Sequence, residues 1–212
     1  METRPEVPYR IETERLVLRP YEFHDAAELQ RVAAASRAHL VRFLAWAALE
    51  PQTLDEKYVL IRRLRGQFDL DADHTFGIFL ADDRTLVGGT GLHSRIGPGA
   101  KEIGYWTAEP HVRQGYASEA TAALTRIGFE VLRLRKIEIR VQPENTASLA
   151  VPRRLGYRDT GVLRSVCPDA CSGSYHDAHV FSLLSDEYRG SPSASAVVTA
   201  RDGLGRVVLG AR

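Results

Sequence analysis

Along the chain, apolar and polar positions recur with a period of two in some stretches and of about 3.6 in others, and the change of period marks out the elements. Residues 15–20 read RLVLRP, a short alternating strand stopped by proline. Residues 25–36 follow with helical character. A second helix is announced by Thr53-Leu54-Asp55-Glu56, a capping box in which hydroxyl and carboxylate satisfy the open amides of the helix start. Behind it, Tyr58, Ile61 and Leu64 fall on one helical face. Strands are predicted over 75–81, 86–93 and 101–107, separated by the turn signals Asp82-Asp83-Arg84 and Gly97-Pro98-Gly99, so the three read as an antiparallel meander. Ser118 opens a helix whose apolar stripe is Ala120, Ala123, Leu124, Ile127 and Val131. A strand over 136–142, a helix over 146–155 ending at Gly156 and a long strand over 175–184 complete the order. Together they give an α+β chain, a mixed sheet with helices laid on it.

Composition narrows the class. The 212 residues are 44% hydrophobic and 26% charged, with 28 Lys+Arg against 27 Asp+Glu. That suits one domain, or one domain with a tail, and a formal charge of +1 lacks the footprint of a nucleic-acid binder. Only Lys57, Lys101 and Lys136 among the basic residues are lysine. Two cysteines make no disulfide framework, the opening Met-Glu-Thr-Arg-Pro-Glu has no apolar leader, and no apolar run approaches the ~20 residues of a membrane span. A cytoplasmic setting with no membrane partner is expected. The texture changes at residue 190. Residues 190–212, small and polar with paired valines around glycines, are expected to be a mobile tail, a weak hairpin being the alternative.

Two segments carry chemistry. In residues 102–120, EIGYWTAEPHVRQGYASEA, a strand runs through a polar turn directly into a helix. Such a helix start presents unpaired amides and a positive dipole end, a ready phosphate site, or simply an ordinary strand–turn–helix junction. In residues 144–157, ENTASLAVPRRLGY, Asn145 caps a helix with Ser148 one turn on.

The order and spacing of these segments resemble the GNAT superfamily of acetyl-CoA-dependent N-acetyltransferases, and within it the branch (RimJ/RimL-like) that acetylates ribosomal-protein N-termini. The resemblance covers residues 9–189. Its marks are ETERLVLR at 12–19, EIGYW at 102–106, QGYASEA at 114–120, NTAS at 145–148 with LGY at 155–157, and YHD at 175–177 with SLLSDE at 182–187. It implies a mostly antiparallel sheet with a splayed central strand pair and helices on both faces. It also implies acetyl-CoA as co-substrate and an amine acceptor. The pyrophosphate would lie on the main chain from Val112 and Arg113 through Gln114, Gly115 and Tyr116 to Ala117. The pantetheine arm would pair with the strand of Ile103, Tyr105, Trp106 and Thr107 and be held by Asn145, with Ser148 near the thioester sulfur.

Two positions depart from the family pattern. Val112 and Arg113 stand where a polar residue and a glycine are usual, and Pro152 stands where other members carry the tyrosine that protonates the departing thiolate. That leaves Ser148 or solvent as acid. A proline inside a helix also frees the carbonyl four residues back, here that of Ser148. Transfer needs a neutral amine, and an N-terminal α-amine with pKa near ~8 is an easier nucleophile than lysine. Glu102 and His93 are the candidate bases.

Other signals are weaker. Asp69, Asp71 and Asp73 begin like a calcium loop but lack its glycine and its closing glutamate. Cys167, Cys171, His176 and His179 invite a zinc reading, but the two histidines lie three apart in a predicted strand and so point to opposite faces, and no metal is expected. The expected activity is acetyl transfer to a primary amine, foremost a protein or peptide N-terminus. The alternatives are a small-molecule acetyltransferase acting on an antibiotic or polyamine, and an acyl-CoA sensor without turnover. A homodimer is also an expectation.

Overall fold

The three strands predicted between residues 75 and 107 form the middle of the sheet in a computed structural model of the chain, which describes residues 6–169 and 171–211. Residues 1–5, part of the stretch read for a leader, lie outside these. The strands are β1 (Arg10–Glu12), β2 (Leu16–Arg19), β3 (His74–Leu80), β4 (Leu86–His93), β5 (Ala100–Thr107), β6 (Lys136–Val141), β7 (Arg158–Pro168), β8 (Tyr175–Leu184), β9 (Thr199–Arg201) and β10 (Val207–Leu209). The helices are α1 (Ala26–Ala35), α2 (Arg37–Leu40), α3 (Leu54–Asp69), α4 (Tyr116–Arg126), α5 (Thr146–Arg154) and α6 (Ser185–Tyr188). One ten-stranded sheet runs β10-β9-β1-β2-β3-β4-β5-β6-β8-β7.

Every neighbouring pair is antiparallel except β5 and β6, and that pair is short. It holds from Ala100↔Lys136 to Glu102↔Glu138, while β5 continues on β4 as far as Thr107↔Gly88. From residue 103 onward the β6 side of β5 therefore has no strand partner among the described residues. This is the splay the family resemblance implies.

Strand alternation sends neighbouring residues of β5 to opposite faces. Ile103 joins the larger core under α4 and α5, with Leu124, Ile127 and Phe181. Trp106 lies against the smaller core of Tyr21, Leu29, Ile61 and Phe79 under α1 and α3. Helix α3 opens on the predicted capping box, with Thr53 N–H donating to Glu56 at 2.7 Å and Glu56 N–H to the Thr53 hydroxyl at 3.2 Å. Its inward face differs by one position from the predicted one: Lys57, Ile61 and Phe68 are buried, whereas Tyr58 is exposed and meets Phe23 at 5.0 Å. Lys57 can be buried because it pairs with buried Glu50.

The stretch expected to be a mobile tail, with a weak hairpin as the alternative, has secondary structure. After residue 190 the chain forms a short 3-10 turn and then the β9–β10 hairpin, and β9 extends the sheet by pairing with β1. Val198 and Ala200 are fully buried. Fully buried Arg126 of α4 donates to the Ala196 carbonyl at 2.8 Å and the Gly210 carbonyl at 3.2 Å. The hairpin alternative is the arrangement found, and what the sequence hides is its anchor, an arginine on a distant helix.

Candidate active site

The turn ahead of α4 is built as a helix start with open amides. Gly115, at φ 84°, is the cap, and Arg113 is left-handed at φ 62°, a conformation that glycine adopts without steric cost. Residues Gln114 to Ala117 follow directly, with Gln114 exposed and Gly115, Tyr116 and Ala117 half-buried. Val112 precedes them in extended conformation. The turn is braced by residues from the other end of the chain. Glu119 accepts from the Thr13 hydroxyl at 2.6 Å, from Arg15 N–H at 3.1 Å and from Arg15 Nε at 2.7 Å. Arg15 also donates to the Gln114 carbonyl at 3.0 Å and lies over the Tyr116 ring at 4.9 Å. Two separate marks of the resemblance, at 12–19 and 114–120, are thus one physical unit. The role of Thr13 and Arg15 is not legible from periodicity; only the joint occurrence of the marks hints at it.

Asn145 caps α5 through its side-chain oxygen, which accepts from Ser148 N–H at 3.1 Å. Pro152 lies inside α5, so the Ser148 carbonyl lacks the donor that a residue four positions on would ordinarily supply. The Tyr105 hydroxyl, reaching from β5 across the splay, donates to that carbonyl at 3.1 Å. Burial pushes the Tyr105 pKa above the ordinary tyrosine range, with the Ser148 bond opposing it. Tyr105, Asn145 and Ser148 are thereby brought to one side of the splay.

His93 and Glu102 face each other across β4 and β5 on the opposite side of the sheet, the side of Gly104 and Trp106. The two candidates have different surroundings. Glu102 is buried, 3.5 Å from both Arg95 and Arg140. His93 Nδ1 is 2.8 Å from the Asp73 carboxylate, which also accepts from Ser94 N–H at 3.1 Å. Burial alone would raise the Asp73 pKa. The His93 hydrogen bond and charge, with the Ser94 amide, outweigh it and hold the carboxyl below its usual range. The His93 ring lies flat on the sheet: Nε2 is 2.7 Å from where a Gly91 Cβ would stand and 3.4 Å from a Gly104 Cβ. A side chain at Gly91 would clash with the ring, while one at the facing Gly104 would just touch it. A histidine whose Nδ1 is held by a carboxylate keeps Nε2 as a proton acceptor.

The acidic run is dispersed. Asp69 accepts from the Tyr9 hydroxyl at 2.9 Å, Asp71 pairs with His74 at 2.9 Å, and Asp73 holds His93. His176 and His179 are likewise taken by Asp169 and Asp159, at 3.5 and 2.9 Å.

Comparison with known proteins identifies the family. Residues 15–158 match the model of the acetyltransferase (GNAT) domain family. The chain is 29% identical over 180 residues to a protein of Bacillus subtilis strain 168 named "Putative ribosomal N-acetyltransferase YdaF", covering 84% of this chain and 95% of that one. Among solved structures, a GNAT-family acetyltransferase from Bacillus anthracis superposes with a TM-score of 0.70 at 26% identity, covering 84% of this chain and 99% of the other. Mycobacterium smegmatis RimJ, in complex with CoA-disulfide, superposes with a TM-score of 0.74 at 24% identity, over 90% and 92%. The chain belongs to the GNAT acetyltransferase family, an N-acetyltransferase with acetyl-CoA as co-substrate.

Proposed function

We propose that the enzyme acetylates the α-amine of a protein or peptide N-terminus in the cytoplasm, with His93 as general base. The observation that carries this reading is the Asp73–His93 pair lying on the Gly91–Gly104 floor beside the splay. His93 Nε2 takes a proton from the acceptor ammonium, giving the neutral amine that attacks the thioester carbonyl carbon. The C–N bond forms, the C–S bond breaks, and the second proton of the attacking nitrogen ends on the departing thiolate, so the products are the amide and the CoA thiol while His93 passes the first proton to solvent. The open amides of residues 103–107 are donors for the developing oxyanion. The Ser148 hydroxyl, with no side-chain hydrogen bond among the described residues, is the donor to the thiolate. Glu102, held between two arginines, is given an electrostatic role rather than the proton.

An α-amine suits a histidine base, because its pKa near ~8 leaves a fraction of it neutral at pH 7. The likeness to YdaF, whose name carries a ribosomal acceptor, supports the same choice. A polyamine or aminoglycoside acceptor would call for an acidic cleft, and Asp69, Asp71 and Asp73 are each committed to a partner instead. Cofactor binding follows the resemblance, with the turn from Val112 to Ala117 on the pyrophosphate and the β5 edge on the pantetheine. Thiol release with a panel of N-terminal peptides, an ε-amine lysine peptide, spermidine and an aminoglycoside tests the reading. Turnover confined to the peptides is expected, with His93→Ala lowering kcat at least ~100-fold and Glu102→Gln far less. Turnover of spermidine or the aminoglycoside above that of every peptide overturns the acceptor; an undiminished His93→Ala overturns the base.

A further inference from the structure

On the α1–α3 side of the sheet, glycines face each other across three strands. Gly77 of β3 is opposite Gly89 of β4, and Gly91 of β4 is opposite Gly104 of β5. The strip they clear is filled by three polar side chains lying flat, each ending in an atom aimed into it. The Trp106 Nε1 occupies the space a Gly89 Cβ would take, and the Tyr21 hydroxyl oxygen comes within 2.8 Å of the same point. His93 Nε2 stands within 2.7 Å of the corresponding point at Gly91.

Tyr21 is the anomaly. The residue is 3% exposed, yet its hydroxyl makes no hydrogen bond among the described residues, and neither does the Trp106 indole N–H. Burial next to Asp25 pushes the Tyr21 pKa up, so the group stays a neutral O–H donor at working pH. Two unused donors are therefore aimed at the spot next to the proton acceptor His93. The buried side-chain atoms without a partner among the described residues belong to Thr121, Arg126 and Arg140, so the Tyr21 hydroxyl and the Trp106 N–H keep access to the strip, where an incoming group can bond them.

We infer that Tyr21 and Trp106 bind the carbonyl oxygen of the acceptor's first residue while His93 receives its α-amine. The inference rests on the N-terminal reading above and names what in the site would enforce it. Same-face positions two apart on a strand are about 7 Å apart, which sets the span from the His93 end of the strip to the Tyr21–Trp106 end. The amine nitrogen and carbonyl oxygen of one residue lie roughly 3 Å apart, and a hydrogen bond of about 2.9 Å at each end gives a reach of up to about 9 Å, which covers that span with the bonds bent from a straight line. A lysine ε-amine, a polyamine or a simple alkylamine has no carbonyl at this distance. Each would enter with both donors still unmade, the situation in which a site built to hydrogen-bond rejects the analogue lacking the group.

The test compares an alanyl peptide with isopropylamine, which keeps the amine, the α-carbon and the methyl but lacks the carbonyl, with rates expressed per neutral amine. The parent enzyme, Tyr21→Phe and Trp106→Phe are assayed, with acetyl-CoA affinity and melting temperature alongside. We expect the parent to favour the peptide in kcat/KM by about 100-fold or more, and each variant to lower that ratio about ten-fold, Tyr21→Phe at similar acetyl-CoA affinity. Should one variant fail to fold, the other carries the result. A parent preference that the folded variants keep overturns this inference alone. A parent with no preference for the peptide overturns the N-terminal reading and this inference together.

Discussion

The Tyr105 hydroxyl and the Ser148 carbonyl meet at 3.1 Å across the splay, and Pro152 is the reason the carbonyl is open to it. A residue with an N–H at position 152 would close the helix bond to Ser148 and leave Tyr105 superfluous. Tyr105→Phe should then cost about 0.5–1.5 kcal/mol of stability, the net worth of a part-buried hydrogen bond, and lower kcat by loosening the Ser148 end of α5. In a Pro152→Ala background the same change should cost less than half as much. Denaturant unfolding of the four proteins of this cycle measures the coupling. Equal costs in both backgrounds would show that the two residues do not compensate each other.

Arg113 makes a second backbone prediction. At φ 62° it holds a left-handed conformation that costs a side-chain-bearing residue about 1–2 kcal/mol relative to glycine, part of which glycine returns as unfolded-state entropy. Arg113→Gly should therefore raise stability by up to about 1 kcal/mol, whereas Arg113→Ile, β-branched and poorly tolerated there, should lower it by more than that. Acetyl-CoA affinity should change little on Arg113→Gly, since main-chain amides do the binding. A large affinity loss would instead give the guanidinium a direct contact.

How far the sequence discloses the molecule depends on whether an element buries a face. The amphipathic helices were legible because one side carries an apolar stripe, as with Ala120, Ala123 and Leu124 of α4, and the meander because turn signals bound each of its strands. Strand β7 was not legible: it is an edge strand exposed along nearly its whole length and bulged around Gly161 and Ser165, so no alternation marks it. Strand β1 was too short at three residues to show a period. In the site, the turn, Asn145 and Ser148 could be placed from local spacing. The partners that give the site its chemistry come from afar: Asp73 is 20 positions from His93 and Ser148 is 43 from Tyr105. Tyr21 escaped notice because nothing local distinguishes a core tyrosine from one aimed into a cleft.

The brace on the phosphate turn gives a prediction about affinity rather than stability. Glu119 gathers the Thr13 hydroxyl, the Arg15 amide and the Arg15 guanidinium, fixing the first turn of α4 before any ligand arrives. Glu119→Ala should weaken CoA binding about three- to ten-fold by calorimetry, because the ordering then has to accompany binding. At saturating acetyl-CoA, kcat should change by less than about two-fold. A fall in kcat with unchanged affinity would move Glu119 from the turn to the chemistry.

Asp73 ties stability to pH in a definite direction. Its carboxyl titrates below the usual range despite burial, because His93 and the Ser94 amide favour the charged form. A depressed carboxylate contributes stability at pH above its unfolded value, about 3.9, and that contribution is lost as pH falls through the lower folded value. Asp73→Asn cannot titrate, so its melting temperature should fall less steeply than the parent's between about pH 5 and pH 3, from a lower starting value at pH 7. The same change should lower kcat without raising the KM for acetyl-CoA, since Asp73 orients the His93 ring and lies on the side of the sheet away from Ser148. Parallel melting curves over that acid range would mean that the carboxylate gains nothing from His93 in the folded state, and the dyad would fall with it.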